Sequence, residues 1–431
     1  MIHVTVEYMT SSVPEPAETA EKSRRYDIVV YGATGFVGRL TADYLARHAP
    51  KGTVVALAGR STSRIEAVRR SLPAAAAQWP IVEADAADDE ALRALAESTR
   101  VVLTTVGPYA KFGLPLAAAC AVAGTDYVDL TGEVLFARQS IDKNHEIAQK
   151  SGARIVHSCG FDSIPSDIGV HVLHSAVAAD GAGELTDTTL VVSSMRGGVS
   201  GGTVDSLRTQ LTAMKKDGKL RRLAARPYSL SPDRSRETDF GRQLDAQVVN
   251  GTHISPSVRG WKAPFFMASY NTRVVRRSNA LRDWAYGKQF RYREVMNVGT
   301  SFASPVIAGA VSVGLGAALV GMTVLPGKLL DRILPEPGKG PSTQAQENGH
   351  FTVDVYTTTT SGARYRSRVK ADGDPGYKAT AVMLSESALA LVHNRDSLPE
   401  AAGVLTPATG IGDALVTRLK NAGLEIWARK E

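Results

Sequence analysis

Between about positions 24 and 180, short apolar runs alternate with stretches whose apolar residues recur three and four apart. The apolar runs predict strands over 27–31, 53–58, 81–83, 101–106, 127–130 and 154–156, and the periodic stretches predict helices over 37–47, 64–71, 89–96, 114–122 and 136–149. Such an order implies βαβ units and an α/β fold with a doubly wound parallel sheet, so the residues just after each strand are the ones that meet a ligand. Ser163, with Pro165 behind it and Ile168, Val172 and Leu173 in a stripe, marks a further helix start.

Beyond position 181 the pattern changes. A strand-like run over 188–194 enters a glycine-rich stretch, followed by a helical stripe of Val204, Leu207, Leu211 and Met214. The alternating runs that begin at Phe351 and Ala363 predict neighbouring antiparallel strands. We therefore expect a loose arm over 1–23, a Rossmann domain over 24–180, a second α+β domain with a mostly antiparallel sheet over 181–402, and a closing segment over 403–431 whose helix, 411–420, returns to the first domain. The second domain is the place for substrate or for a homodimer contact. Met9 is an alternative start within the arm.

One segment departs from this pattern. Residues 295–327 contain no Lys, Arg, Asp or Glu. Within them 306–325 meets the length of about 20 residues needed to cross a bilayer. Pro326, Leu329, Leu330, Ile333 and Leu334 extend the apolar stretch to 334 as a hairpin, and upstream the basic residues of 259–293 are accompanied by one acid, Asp283. Two readings fit. One is peripheral contact through 295–334 with an anionic membrane surface or an acidic carrier domain; the other is a buried helix or dimer core beside a solvated basic face.

Composition narrows the class. The 431 residues are 43% hydrophobic, and the formal charge of +7 comes with 6% aromatic residues and no nucleic-acid motif, so a nucleic-acid partner is discounted. Two cysteines, Cys120 and Cys159, are too few for a disulfide framework, and no His, Cys or acid cluster has metal-ligand spacing. The first 22 residues lack the basic start and apolar run of a signal peptide, so a cytoplasmic location is expected, with the inner face of the plasma membrane as a possible contact.

The strongest chemical signal is Gly32-Ala-Thr34-Gly35-Phe36-Val37-Gly38, directly after the first apolar run. Gly32 permits a tight turn, Gly35 lets the backbone approach a pyrophosphate, and Gly38 lets the next helix pack closely on the sheet with its N–H groups towards the anion. After the second strand, where an NAD enzyme carries an acid, the chain has Arg60-Ser61-Thr62-Ser63-Arg64. A guanidinium and hydroxyls suit a 2′-phosphate, so the cofactor reads as NADP(H); the alternative is that Arg60 and Arg64 are solvated residues at a helix start. After the third strand Asp85 fits either an adenine contact or a helix cap. After the fourth, Val106-Gly107-Pro108-Tyr109-Ala110-Lys111 reads either as a stretch that falls where the nicotinamide end would lie, with the Tyr109 hydroxyl within reach of the reacting carbon, or as a merely structural Gly-Pro turn. Further on, the glycines before Thr203, with Gly201 and Gly202 among them, would offer backbone N–H groups to a phosphate or thioester oxygen, or would serve a close backbone crossing.

Together with Asp126-Tyr-Val-Asp-Leu-Thr-Gly-Glu133, Cys159-Gly-Phe-Asp-Ser-Ile-Pro-Ser-Asp167, Ser200-Gly-Gly-Thr203 and Gly403-Val-Leu-Thr-Pro-Ala408, these motifs resemble the saccharopine dehydrogenase-like oxidoreductases. Within that group the chain is similar to the bacterial trans-acting enoyl reductases that serve polyketide synthases making phthiocerol-type wax lipids. The resemblance implies reduction of an α,β-unsaturated acyl or polyketide chain, held as a thioester on an acyl carrier domain, with NADPH as hydride source. It makes Tyr109 the first candidate proton donor, with Lys111 as electrostatic help and water as another source of the proton. Glu133 and Asp162 are candidates for the substrate, although capping or a structural turn also fits them. A saccharopine-type amino-acid dehydrogenase acting on a C–N bond, and an NADP-binding scaffold without chemistry, remain open beside it.

Overall fold

The structure is a computed structural model, and it describes residues 24–198, 200–325 and 340–431. The expected arm, and the expected hairpin end from Pro326 to Leu334, lie outside the described residues.

The first sheet has seven strands, all parallel, in the order β13 (Gly403–Leu405), β6 (Arg154–Val156), β5 (Asp126–Val128), β4 (Thr99–Thr104), β1 (Tyr26–Tyr31), β2 (Val55–Gly59) and β3 (Ile81–Glu83). Ile28, Val29 and Val30 of β1 are fully buried, which is why this strand reads as a continuous apolar run instead of an alternation. The chain steps outward from β1 to β3 and then crosses back to β4, so strand order reverses between β1 and β4 and a crevice opens at their carboxyl ends. Helices α1 (Phe36–His48), α2 (Thr62–Ser71), α3 (Asp89–Ser98), α4 (Tyr109–Ala123) and α5 (Val134–Ser151) make the crossovers.

Helix α4 starts at Tyr109, five residues before the expected 114. In the sequence the turn at Gly107-Pro108 reads on to Gly113, but Gly113 serves packing. A Cβ there would stand 2.8 Å from the Phe136 ring of α5. The C-terminal segment also supplies more than a helix. Its three-residue β13 extends the first sheet, α12 (Asp413–Asn421; α11 is given below) buries Leu415 and Leu419, and β14 (Glu425–Lys430) pairs with the second sheet.

Helix α6 (Ile164–Ala179) leads into that second sheet, ordered β14, β12 (Arg364–Asp372), β11 (His350–Thr359), β7 (Leu185–Arg196), β10 (Arg291–Asn297), β9 (Trp261–Pro264) and β8 (Val249–Asn250). The β7–β10 pair is parallel and the rest are antiparallel, including the expected β11–β12 pair. Helices after β7 include α7 (Gly201–Lys216), α8 (Gly218–Ala225), α9 (Ala268–Leu281), α10 (Ser304–Val324) and α11 (Thr380–His393).

Two features bear on the expected basic and apolar surfaces. The basic run over 259–293 is a solvated face only in part: Arg259, Lys288 and Arg291 are exposed, but Arg273, Arg276 and Arg277 of α9 are buried. Arg273 and Arg276 pair with Asp245, and Arg277 donates to the Leu230 and Val404 carbonyls, both at 2.6 Å. A denser group of exposed cations lies on and after α7, where Lys215, Lys216, Lys219, Arg221, Arg222 and Arg226 face solvent and the Lys215 ammonium donates to the Thr323 carbonyl at 2.9 Å. Helix α10 is the expected apolar segment. Of its most apolar stretch only 6% is buried, with Val306, Val313 and Val324 each more than 70% exposed.

Candidate functional site

The glycine loop folds as its residue types require. Gly32 has φ +91°, and a Cβ on Gly38 would lie 2.2 Å from the Gly32 carbonyl oxygen, so only glycine lets α1 start against the β1 turn. Gly35 occupies the N-cap of α1 without a side-chain cap, and the first turn carries no acid. With Thr34 in the turn and Phe36 and Val37 in the first turn of α1, this leaves helix N–H groups for an anion. Phe36 is held by the Tyr377 ring, edge-on at 5.0 Å.

At the end of β2, Arg60 is exposed and makes no ion pair among the described residues, while Ser61 stands at the N-cap of α2 with its hydroxyl not used as a cap. That set fits a 2′-phosphate. Asp85 follows β3, exposed, and its carboxylate accepts the Ala87 N–H at 2.9 Å in a local turn. Val106 packs against Gly32: a Cβ on that glycine would meet the Val106 side chain at 2.7 Å.

A cavity of about 1120 Å³ begins at Gly35, Phe36 and Val37, passes Gly107, Pro108 and Tyr109, and runs out beneath α10. The second sheet side contributes Phe265, Phe266 and Met267, and α10 contributes Leu315, Leu319 and Met322. Arg242 is the one cation among its described lining residues. Sequence reasoning missed these apolar walls, since they come from segments far apart in the chain.

The polar residues of the cavity divide by how they are engaged. The Tyr109 hydroxyl donates to the Thr104 carbonyl at 3.2 Å and accepts the Leu130 N–H at 3.1 Å, so the donor expected there is committed to backbone. Burial, then the nearby Asp129 carboxylate, pushes its pKa well up. Lys111 is exposed and does not line the cavity. Glu133 accepts the Tyr109 and Ala110 N–H groups, both at 2.8 Å, and the Ser206 hydroxyl at 2.6 Å. It thereby caps α4 and ties α7 to the Gly107-Pro108 turn. Burial raises its pKa, against the pull of these three hydrogen bonds.

Asp162 is differently placed. It lines the cavity, and its one side-chain partner is the Thr203 hydroxyl at 3.2 Å. Desolvation raises its pKa from 3.8 to about 6. Gly201, Gly202 and Thr203 form the first turn of α7, not a loop ahead of it; the cap is Ser200, whose hydroxyl accepts the Thr203 N–H at 3.0 Å. The Gly201 N–H is also taken, by the Tyr377 hydroxyl at 3.3 Å. Two further residues carried no signal in the sequence. Ser158, at φ +70°, donates its N–H to Asp129 and shares a 2.6 Å hydrogen bond with the Tyr270 hydroxyl, and both side chains line the cavity. Asp129 itself is buried, accepting also from Tyr127 and bonded to His157 Nδ1 at 2.7 Å.

The dinucleotide crevice and the cavity that continues from it define an NADP-dependent oxidoreductase. Residues 28–156 match the saccharopine dehydrogenase NADP binding domain family. A Mycobacterium tuberculosis protein provisionally named a trans-acting enoyl reductase is 53% identical over 409 residues, 94% of this chain and 97% of that protein. Two trans-acting enoyl reductases, from M. tuberculosis and M. ulcerans, are 50% and 48% identical, covering 93% and 94% of this chain and 97% and 98% of theirs. The chain belongs to the trans-acting enoyl reductase family. Among solved structures, apo saccharopine dehydrogenase (L-Glu forming) from Saccharomyces cerevisiae has the same fold, with a TM-score of 0.52 and 13% identity over 94% of this chain and all of that one.

Proposed function

We propose that the protein reduces the carbon–carbon double bond of an α,β-unsaturated acyl thioester presented by a synthase carrier domain, in the cytoplasm. The observation that carries this reading is the cavity. It joins the cofactor crevice to a long apolar passage bounded by Phe265, Met267, Leu315 and Leu319, and its described lining holds one cation. An amino-acid substrate with several carboxylates would call for a cluster of cations there, whereas an acyl chain requires apolar walls.

Bound NADPH would supply the hydride. The Gly32–Gly38 loop and Arg60 would hold its phosphates, and the Gly107-Pro108 turn, fixed by Glu133 and Tyr109, would face its nicotinamide end. Hydride delivery to the β-carbon places negative charge on the thioester oxygen and α-carbon, and the chain must provide a donor. Asp162 fills that role better than Tyr109, because its carboxyl faces the cavity with a single hydroxyl partner and burial favours its acid form. Ser158 and Tyr270, already hydrogen-bonded to each other, offer hydroxyls for the thioester oxygen.

Helix α10 supports a second element of the reading, contact with an anionic lipid surface. Val306, Val313, Val320 and Val324 form an exposed row on one side, while Ser312, Leu315, Leu319 and Met322 line the cavity on another. Lys215, in the last turn of α7, reaches the C-terminal end of α10 through the Thr323 carbonyl. An apolar stripe beside lysines and arginines is the pattern of an interfacial helix. Consumption of NADPH with an enoyl thioester on a carrier domain, and a product heavier by two hydrogens, tests the central reading. Turnover only of amino-acid substrates would move the assignment to the C–N oxidoreductases.

A further inference from the structure

A second, smaller cavity of about 230 Å³ lies over β7 and β10, and four arginines line it: Arg242, Arg276, Arg291 and Arg293. The acid on its wall is Asp187, which is 67% exposed and stands 3.8 Å from Arg291. Arg242 pairs with no carboxylate among the described residues. Arg276 is 3% exposed, and its Nε has no hydrogen-bond partner. Its other nitrogens are turned to Asp245 at 3.4 Å and to the Pro227 and Tyr292 carbonyls. Arg293 gives its Nε to the Thr189 hydroxyl at 2.9 Å. Burial lowers the pKa of both Arg276 and Arg293, so their charge carries a desolvation cost that an anion in the cavity would relieve.

The position of this cavity matters as much as its charge. Arg242, Gln243 and Leu244 line both it and the large acyl cavity, so one short loop forms the wall between an arginine-lined recess and the reaction chamber. A ligand spanning that wall would have an anionic head and a neutral, extended tail ending in the thioester. We propose that the recess binds the phosphate at the head of a phosphopantetheine arm, with Arg242 and Arg291 as its exposed claws and buried Arg276 and half-buried Arg293 as its floor. Guanidinium groups suit this task because their planar donors match phosphate oxygens in pairs. This rests on the reading that the substrate arrives as a carrier-bound thioester.

The test is direct binding to the full chain saturated with NADP⁺, which keeps the probes out of the dinucleotide crevice. The probes are 4′-phosphopantetheine, pantetheine and inorganic phosphate, measured by calorimetry on wild type and on the Arg242→Ala and Arg291→Ala variants. Both positions are exposed, so the fold should tolerate the changes. Phosphopantetheine should bind wild type about tenfold or more tightly than pantetheine, and each variant should lose most of that ratio while holding NADP⁺ unchanged. Equal affinity for pantetheine, or a ratio that survives both substitutions, overturns the site. Inorganic phosphate binding as tightly as phosphopantetheine makes it a free-phosphate site and also overturns the proposal. Failure of the enoyl reductase reading would show separately, as no reduction of an enoyl N-acetylcysteamine thioester, which carries no phosphate.

Discussion

Replacing Asp162 by asparagine should stabilise the protein and slow it, two effects of opposite sign from one desolvated carboxyl. In the folded chain burial raises the Asp162 pKa from 3.8 to about 6. A raised carboxyl pKa means that the native state holds the proton more tightly than the unfolded state. Stability from this group is therefore intact below about pH 4 and is lost as pH rises through the folded value near 6. A shift of roughly 2 units corresponds to about 3 kcal/mol at pH 8, which Asp162→Asn should recover in large part, since the amide keeps a partner for Thr203 without a charge. Urea unfolding at pH 4 and pH 8 measures this: the two proteins should match at the lower pH and separate at the higher. Turnover with an enoyl thioester should fall by about a hundredfold, the lower end of what a positioned general acid contributes, with NADPH affinity preserved. An asparagine variant no more stable than wild type at pH 8 would show that the carboxyl is well solvated. Unchanged turnover would remove Asp162 from the proton step.

Other changes probe other parts of the site. Arg60→Ala should weaken NADPH binding about tenfold or more while leaving NADH binding nearly unchanged, measured by fluorescence titration; an equal loss for both would separate Arg60 from the 2′-phosphate. Gly38→Ala forces a Cβ to within 2.2 Å of the Gly32 carbonyl, so it should cost about 1–3 kcal/mol in thermal or denaturant unfolding and abolish measurable NADPH binding. The Val313→Asp, Val320→Asp double variant should lose co-sedimentation with anionic vesicles at low salt and keep NADPH binding. Vesicle binding that persists in the double variant would exclude α10 as the lipid contact.

The parts of this molecule that could be read from sequence are those governed by local rules. The Gly32–Gly38 loop, the buried run of β1 and the β11–β12 alternation each follow from one short segment, and each appears in the structure where the chain implies it. The start of α4 misled because the turn at Gly107-Pro108 reads on through Gly113, when that glycine answers to the Phe136 ring across the interface. The arginines of α9 looked like surface because charge pattern carries no information on distant partners such as Asp245, Leu230 and Val404. Strands β13 and β14 were invisible for a related reason: three or six residues with a partner far away in the chain leave little periodicity. In the site, Asp162 and Glu133 could be found only through their motifs, and what separates them is tertiary. One faces the cavity with a single hydroxyl partner, the other is enclosed by three donors.

The central claim is hydride transfer to the β-carbon of an unsaturated acyl thioester. The measurement that addresses it most directly is a single turnover with NADPH deuterated at the transferring position and a carrier-bound enoyl substrate, with the product read by NMR. The account predicts one deuterium at the β-carbon of a saturated chain and a solvent-derived proton at the α-carbon. Deuterium at any other position, or recovery of the substrate unreduced, would contradict it.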